Sequence, residues 1–274
     1  MKIAKAKIKQ ILIEQPNCNF EVNLIFCHIL KISQAQLILE SEISSENFKK
    51  ILKIAKKRSN GRPLQHLLSS WQFYNINLKL SSKVFIPRPE TEMLVDFALQ
   101  FKNKNLKILD LCTGSGCISV AIAKNNPLAK IKAVEFSKYA FKCAKKNIKH
   151  FKKQIQLIRG NVLNRNLPAN FQNWANLIVC NPPYLNQADF ANLQQEVKFD
   201  PKMALFGGGD GLIFYKKVCE LWKKTIKNFG WLAFEIGCSQ KNEIELIFKH
   251  NGFINIKTLT DLSGNNRLTI AQKA

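Results

Sequence analysis

The residues best suited to chemistry form a short run directly after an apolar stretch, in the order Asn181, Pro182, Pro183 and Tyr184. The apolar residues 174–179 predict a buried strand, and prolines, which cannot donate to a β-ladder, must end it. The side-chain oxygen of Asn181 and the backbone carbonyl of Pro182 then lie side by side on a stiff loop. Two fixed acceptors are suited to the two N–H groups of one planar NH2.

This run resembles the Asn-Pro-Pro-Tyr signature of methyltransferases that alkylate the nitrogen of a planar amino or amide group. The substrates in that superfamily are glutamine side chains, adenine N6 and cytosine N4, and the resemblance implies that Tyr184 packs against the flat group. The alternative is a proline-rich turn with a capping Asn181, because Asn-Pro by itself signals only a turn.

A second candidate site is a glycine-containing loop that follows the predicted strand 106–111 and opens a helix. Its glycines let the backbone turn tightly and approach a ligand closely. Ser119 occupies the position where a dinucleotide-binding fingerprint has its third glycine, and Asp110 would crowd a pyrophosphate. Asp110 is suited instead to a cofactor that is cationic at its amine and its sulfonium. The loop residues are Cys112, Thr113, Gly114, Ser115 and Gly116.

Glu135 ends the next predicted strand, roughly twenty residues further on, which is the usual place for a carboxylate that binds ribose hydroxyls. Together with the loop, it is similar to the S-adenosylmethionine site of the class I methyltransferases. A purely structural glycine turn is the alternative. The resemblance implies that Asn161 and Val162, after the third predicted strand, contact the adenine. That fold usually has Asp in place of Asn161, so this chain keeps an acceptor for the adenine amino group but loses the charge.

Two differently patterned parts of the chain must position these residues. Residues 1–70 have helical periodicity, residues 71–86 suggest a β-hairpin with a turn near Asn75, and strands and helices alternate over residues 87–274. Such alternation is typical of a parallel sheet with right-handed crossovers. We therefore expect a helical domain, a linking hairpin and a domain that carries both candidate sites. The pattern also predicts helix caps at Ser33, Ser45, Ser137 and Ser239. It predicts one long helix over residues 210–228.

Composition limits the possible functions. The chain has 274 residues, and its formal net charge of +23 at pH 7 is carried mostly by lysines spread along its length. Proteins that read nucleic-acid sequence depend on arginine for bidentate contacts, so we expect a solvated, lysine-rich surface and no dedicated nucleic-acid site. No apolar run reaches the ~20 residues of a membrane helix, and no secretory signal is recognisable.

The eight cysteines include no C-x-x-C pair and no cluster with histidine at zinc-binding spacing, so no metal site is expected. We interpret them as small, mostly buried residues in a reducing, cytoplasmic compartment. Cys180 lies beside Asn181, but no histidine has a sequence context that would supply a base for a nucleophilic role.

Several stretches together resemble one family, the protein-(glutamine-N5) methyltransferases that modify peptide chain release factors. The most distinctive stretch is Ile86-Pro87-Arg88-Pro89-Glu90-Thr91-Glu92. The other matching positions are Gly61, Pro63 and Gln65, residues 110–116 and 181–184, Ala204 and Leu205 with 207–212, and Glu235, Ile236 and Gly237 with Gln240. The chain departs from the family at three positions: Glu135 and Asn161, where Asp is usual, and His66, where Tyr is usual.

The resemblance implies an α/β fold: a class I S-adenosylmethionine-dependent methyltransferase domain, Rossmann-like, with a mostly parallel seven-stranded sheet and an N-terminal helical domain. It also implies methyl transfer from S-adenosylmethionine to N5 of the glutamine in the Gly-Gly-Gln motif of class I release factors, which supports translation termination. Asn181 and Pro182 would hold the reacting amide, and the helical domain would bind the release factor. We expect a monomer.

Two other functions stay open at this point. A nucleic-acid adenine-N6 methyltransferase would use the same Asn-Pro-Pro-Tyr arrangement. The net charge favours it, whereas residues 88–92 and the lack of a recognisable target-recognition domain oppose it. A cofactor-binding module without catalysis is opposed by the intact Asn181 and its two prolines.

Overall fold

The computed structural model describes residues 1–101, 105–164 and 169–274, which form two compact units. Unit 1 comprises Met1–Trp71 together with the short segment Gln194–Phe199, and unit 2 comprises Gln72–Leu193 and Asp200–Ala274. The chain therefore leaves unit 2 for six residues and then returns to it. The sequence pattern did not predict this excursion.

Unit 1 is helical because its apolar residues recur at helical spacing. Its helices are α1 (Lys2–Ile11), α2 (Cys18–Leu30), α3 (Gln34–Leu39), α4 (Ser45–Ser59) and α5 (Leu64–Leu68). They bury a shared apolar core, whose fully buried members include Ile8, Leu12, Ile25, Phe26, Leu37 and Ile51. The cap of α4 is Ser44 and not the predicted Ser45, because the Ser44 hydroxyl is the group that accepts from the Asn47 backbone amide.

Unit 1 also buries an ion-pair network around Arg58 of α4. Nε and Nη2 of Arg58 donate to the two carboxylate oxygens of Glu21, each over 2.8 Å. Nη1 of Arg58 lies 2.7 Å from Oε1 of Glu196, which belongs to the segment Gln194–Phe199. A guanidinium is suited to this position because its planar fork presents several donors in fixed directions. The network therefore ties the segment to helices α2 and α4.

The strands are β1 (Ser70–Phe73), β2 (Ile76–Lys79), β3 (Lys107–Leu111), β4 (Lys130–Glu135), β5 (Ile155–Arg159), β6 (Ala175–Cys180), β7 (Ile226–Glu235), β8 (Phe253–Thr260) and β9 (Asn266–Lys273). The pair β1 and β2 forms a hairpin, and its turn residues Tyr74 and Asn75 both have positive φ angles. The other strands form one sheet in the order β5-β4-β3-β6-β7-β9-β8. The pairs β7–β9 and β9–β8 are antiparallel and the other neighbouring pairs of the described sheet are parallel, which confirms the mostly parallel seven-stranded sheet.

Helices cover both faces of this sheet. Successive residues of a strand point to opposite faces, and Ile108 and Leu109 of β3 belong to two different apolar clusters. The helices of unit 2 are α6 (Glu92–Leu99), α7 (Cys117–Asn125), α8 (Lys138–Asn147), α9 (Gln187–Ala191), α10 (Ile213–Trp222) and α11 (Lys241–His250). Residues of α6 and α7 join the cluster of Ile108, and residues of α10 and α11 join the cluster of Leu109.

The predicted long helix over residues 210–228 is wrong. The helix in this region, α10, spans only Ile213–Trp222, and β7 begins at Ile226 after one 3-10 turn. Gly211 has a φ of 75° and stands outside the helix. Ile226 pairs with Ala175 of β6, so the residues from Ile226 onward belong to the sheet and not to the helix.

No helix of the described residues is long and apolar enough to cross a membrane. The described side chains also include no group of histidine, cysteine, aspartate and glutamate residues that is placed to hold a metal ion.

Candidate active site

Both candidate loops leave the sheet at the carboxyl ends of neighbouring strands. The last residues of β3 and β6, Leu111 and Cys180, are paired in register. Cys112 and Asn181 therefore begin their loops side by side at one edge. In an open α/β sheet, ligands bind at this edge.

The loop after β3 carries three positive φ angles, at Cys112 (61°), Gly114 (60°) and Gly116 (81°). The two glycines adopt such angles without strain, whereas Cys112 does so at some cost. The Thr113 amide donates to the carbonyl of Val134 over 3.1 Å, which fixes the loop to β4. Because Gly116 is the N-cap of α7, the free amides of that helix follow the loop directly.

Asp110 is fully buried, and the loop and α7 both bind it. Its Oδ2 accepts from the hydroxyls of Thr113, over 2.5 Å, and Ser119, over 2.6 Å. Burial raises the pKa of the Asp110 carboxyl to about 6, although these hydroxyls and the Ser119 backbone amide oppose the shift. Its Oδ1 is buried without a well-formed hydrogen bond to any described residue. A buried carboxylate oxygen with unused capacity fits a nearby cation.

Glu135, at the end of β4, links the glycine loop to the start of α8. Its Oε2 accepts from the Gly114 amide over 2.8 Å, and its Oε1 accepts from the Ser137 amide over 2.7 Å. Burial raises the pKa of the Glu135 carboxyl, and these two amides oppose the shift. Since each carboxylate oxygen has a second lone pair, Glu135 retains capacity for two more donors, such as the hydroxyls of a ribose.

Asn161 and Val162 follow β5, the strand next to β4. The Asn161 Oδ1 accepts from the Leu163 amide over 3.0 Å, so its side chain closes a local turn. Val162 is buried, and its carbonyl accepts from the indole of Trp222 over 2.9 Å. Both residues thus lie beyond the carboxyl ends of the strands, as Glu135 does. One lone pair of the Asn161 Oδ1 already accepts from the Leu163 amide.

Asn181 is held by hydrogen bonds that lead to Glu235 at the end of β7. The Asn181 Nδ2 donates to Thr91 Oγ1 over 3.0 Å, and Thr91 Oγ1 donates to Glu235 Oε2 over 2.6 Å. Thr91 is 1% exposed and Glu235 is 3% exposed. Because the NH2 group of Asn181 donates to Thr91, the Oδ1 of Asn181 is not used in this hydrogen bond, and it accepts from none of the described residues. The predicted acceptor is therefore available.

Gln240 fixes the end of the same loop, in which Pro182 and Pro183 are buried. Its Nε2 donates to the carbonyls of Tyr184, over 3.0 Å, and Gly211, over 3.4 Å. Its Oε1 accepts from the amide of Gly237 over 3.0 Å. Helix α11 begins after Gln240, and the predicted cap at Ser239 is wrong, because this turn is closed by the side chain of Gln240.

Two glycines make room for the backbone of this loop. A Cβ at Gly207 would lie 2.6 Å from the carbonyl oxygen of Pro183, and a Cβ at Gly211 would overlap with the carbonyl oxygen of Tyr184. Contacts this short do not occur at real Cβ atoms. The glycine-rich stretch 207–212 therefore has a structural reason, which is close approach to the loop that begins at Asn181.

The proline-rich segment 86–92 contributes further contacts within unit 2. Arg88 Nη2 lies 2.5 Å from Asp200 Oδ2, and the Ile86 amide donates to Asp200 Oδ1 over 3.3 Å. Oε1 of Glu92 accepts from the Tyr74 amide over 2.7 Å. The segment thus joins the β1–β2 hairpin to residues near Asp200, besides supplying Thr91.

Sequence reasoning gave no role to Thr91, Glu235 or Gln240, although all three lie in the stretches that carry the family resemblance. The one local signal was an acidic residue, Glu235, at the end of an apolar strand. Cys180 is fully buried, and burial raises the pKa of its thiol well above the usual value, which gives no support to a nucleophilic role.

Two family models match the chain: the PrmC N-terminal domain over residues 2–68 and the methyltransferase small domain over residues 89–231. The release factor glutamine methyltransferase of Thermodesulfovibrio yellowstonii is 39% identical over 262 residues, which are 93% of this chain and 92% of that protein. The chain belongs to the release factor glutamine methyltransferase family. Members from Fusobacterium nucleatum (35% identical; 94% of this chain and 74% of that protein) and Clostridium acetobutylicum (30%; 99% and 98%) extend the match.

Solved structures agree with the fold of this family. The hMettl16 catalytic domain in complex with a 3'UTR hairpin superimposes with a TM-score of 0.58 at 14% identity, over 85% of this chain and 84% of that one. A methyltransferase from Pyrococcus furiosus superimposes with a TM-score of 0.56 at 16% identity, over 84% and 100%. These likenesses concern the fold alone, and with the family match they confirm the class I methyltransferase fold.

Proposed function

We propose that the protein transfers a methyl group from S-adenosylmethionine to the side-chain amide nitrogen, N5, of the glutamine in the Gly-Gly-Gln motif of class I peptide chain release factors. The observation that carries this proposal is the orientation of Asn181. Its NH2 group is bound by Thr91, so its Oδ1 is an acceptor at the edge of the sheet where ligands bind. The names of the relatives supply the substrate class.

The site has to make a poor nucleophile react, because the lone pair of an amide nitrogen is delocalised into its carbonyl. Hydrogen bonds from both N–H groups of the glutamine, to Asn181 Oδ1 and to the Pro182 carbonyl, increase electron density on that nitrogen. They also aim it along the line of methyl transfer. Orientation contributes up to about 7–11 kcal/mol, and each preorganised polar contact about 3 kcal/mol. The nitrogen gains the methyl carbon as the bond from that carbon to the sulfonium sulfur breaks, and it then loses one proton to solvent, so no general base has to act first.

The cofactor, when bound, supplies an electrophilic methyl group on a sulfonium. Glu135 and the loop Cys112–Gly116 would hold it, with Glu135 on the ribose hydroxyls. Asp110 is covered by the loop, so it would act on the cationic part of the cofactor from a buried position through its unused Oδ1. Asn161 and Val162 would lie against the adenine, with one acceptor of Asn161 shared with the Leu163 amide.

Unit 1 is the part of the chain that we assign to the protein partner. It matches the PrmC N-terminal domain and carries none of the candidate catalytic residues. A domain that grips the release factor at a distance would raise the effective concentration of the glutamine loop at Asn181. We propose that the enzyme acts as a monomer and has no dedicated nucleic-acid site. The adenine-N6 alternative shares the Asn-Pro-Pro-Tyr arrangement, and the relatives do not favour it.

Mass spectrometry of purified release factor, incubated with the protein and S-adenosylmethionine, tests the proposal. We expect one added methyl group on the glutamine of the Gly-Gly-Gln motif. The matched control is Asn181→Ala, which should bind the cofactor normally and retain less than about a tenth of wild-type kcat, because a contact worth more than ~1.4 kcal/mol is lost. An unmodified glutamine together with methylation of RNA or of another protein would overturn the assignment.

A further inference from the structure

The hydroxyl of Thr91 has one proton and two neighbours, so its hydrogen bonds have a direction. It donates to Glu235 Oε2 over 2.6 Å. Having used its proton there, it can only accept from Asn181, whose Nδ2 lies 3.0 Å away. The direction of the first bond therefore decides which end of the Asn181 amide faces Thr91.

A proton on Glu235 would reverse the direction of these hydrogen bonds. A protonated Glu235 donates to Thr91 Oγ1, and the Thr91 hydroxyl then donates its own proton to the next group. The only acceptor on the Asn181 side chain is Oδ1, and rotation of the amide brings this oxygen to Thr91 to accept that proton. Its NH2 group then faces the substrate, and an NH2 group cannot accept from the N–H groups of a glutamine.

We propose that Thr91 and Glu235 are positioning residues that hold the Asn181 amide with its oxygen towards the substrate, and that methyl transfer requires Glu235 in its carboxylate form. This inference rests on the proposed function, in which Asn181 Oδ1 accepts from the reacting amide. Thr91 and Glu235 touch neither cofactor nor substrate in this scheme. They act only through Asn181.

The position of Glu235 allows the two states to exchange near neutral pH. Burial raises the pKa of the Glu235 carboxyl to about 7, while the hydrogen bond from Thr91 opposes the shift. Glu90 raises this pKa further, whereas Arg267 and Asn181 lower it. The other titratable groups that interact with Glu235 are Tyr184, Tyr215 and Cys117, each with a raised pKa of its own and therefore neutral in this range.

A second contact keeps Glu235 in place whichever state it is in. Its backbone carbonyl accepts from the hydroxyl of Tyr215 over 3.0 Å, and its strand, β7, lies between β6 and β9. The residue is therefore fixed by its backbone, and the protonation of its side chain is free to change without movement of the strand. The reversal itself consists of the rotation of one side-chain amide.

The experiment compares Thr91→Val, Thr91→Ser and Glu235→Gln with the wild type on release factor. Thr91→Val has nearly the same shape but no hydroxyl, and we expect its kcat to fall at least about tenfold while the Kd for S-adenosylmethionine stays within about twofold. Thr91→Ser keeps the hydroxyl and should retain activity close to wild type. A kcat for Thr91→Val within about threefold of wild type, in protein that binds the cofactor normally, overturns the proposal.

The pH profile supplies a readout that a merely structural role would not change. Wild-type kcat should rise with pH and level off above an apparent pKa near 7. A glutamine side chain does not titrate and can face Thr91 with either its oxygen or its NH2, so Glu235→Gln should have a lower kcat at pH 8 and lack this rise. The same rise in Glu235→Gln as in the wild type contradicts the assignment.

A third measurement does not depend on turnover. The side-chain amide signals of Asn181, identified by their loss in Asn181→Ala, should shift with pH in the nuclear magnetic resonance spectrum of the wild type and stay constant in Glu235→Gln. If the wild type fails to methylate release factor, the proposed function fails. This titration still tests the hydrogen-bond relay from Glu235 through Thr91 to Asn181, because an Asn181 signal that does not shift in the wild type overturns it.

Discussion

Replacing Arg58 with methionine should destabilise unit 1 strongly. The side chain of Arg58 is 4% exposed and that of Glu21 is 12% exposed, and the two share hydrogen bonds of 2.8 Å each. Methionine fills much of the same volume without a charge, so Arg58→Met leaves the Glu21 carboxylate buried without its partner. Breaking a buried pair from one side costs about 3–5 kcal/mol.

Glu196 adds little to this cost, because its side chain is 46% exposed and water can replace its partner. An exposed ion pair contributes below about 1 kcal/mol. For a unit of this size each kcal/mol lowers the unfolding midpoint by about 4–8 °C, so Arg58→Met should lower the midpoint of unit 1 by ~12 °C or more. The cofactor should protect unit 2 selectively, since only unit 2 carries its predicted site.

Calorimetry with and without S-adenosylmethionine would therefore identify the transition of each unit. Glu196→Gln is the matched control, and its midpoint should stay within a few degrees of wild type. The double variant Arg58→Met with Glu21→Leu should recover most of the loss, because it removes the unpaired charge. An Arg58→Met protein within about 1 kcal/mol of wild type would show that Glu21 is not buried as the structure has it.

Two further predictions concern unit 2. Gly114→Val should abolish binding of S-adenosylmethionine, because a β-branched residue does not tolerate a φ of 60° and the Gly114 amide is bound to Glu135. Unchanged affinity in calorimetry contradicts the site. The control is Gly209→Ala, because a Cβ at that position meets no atom within 4 Å. The free energy of unfolding should fall as pH rises from 4.5 to about 7, because the pKa of Glu235 is raised on folding. The loss for this one group is about 3 kcal/mol. In denaturant titrations the free energy of unfolding of Glu235→Gln should fall less with pH, and this variant should be more stable than wild type at pH 8. The same pH dependence in both proteins would contradict the prediction.

The sequence predicted what depends on local pattern. Apolar runs, glycine positions and the alternation of strands with helices define the sheet, and register then brings Cys112 and Asn181 together because parallel neighbours end at one edge. The same local patterns could not predict Thr91 as a partner of Asn181 and Glu235. These residues are separated by 90 and 144 positions along the chain, and no periodicity relates side chains over such distances.

Local pattern also failed where tertiary contacts override it. Residues 210–228 have helical spacing, yet Ile226 pairs with β6 and the helix stops at Trp222. Asp110 was predicted to face the cofactor, and its position at the end of a strand is as expected. Its complete burial under hydroxyls of Thr113 and Ser119 was not predictable, because it depends on how the loop folds back.

The relay gives a physical reason for an asparagine at position 181. The residue has to donate, so that Thr91 fixes its orientation, and it has to accept, so that the reacting amide is held. Aspartate accepts but cannot donate when ionised, and it would place a second carboxylate next to Glu235, where the single proton of Thr91 can serve only one of them. Alanine and leucine can neither donate nor accept. A side-chain amide meets both requirements, because its NH2 donates and its oxygen accepts. The hydrogen bond from Gln240 to the Tyr184 carbonyl holds the end of the loop that presents this amide.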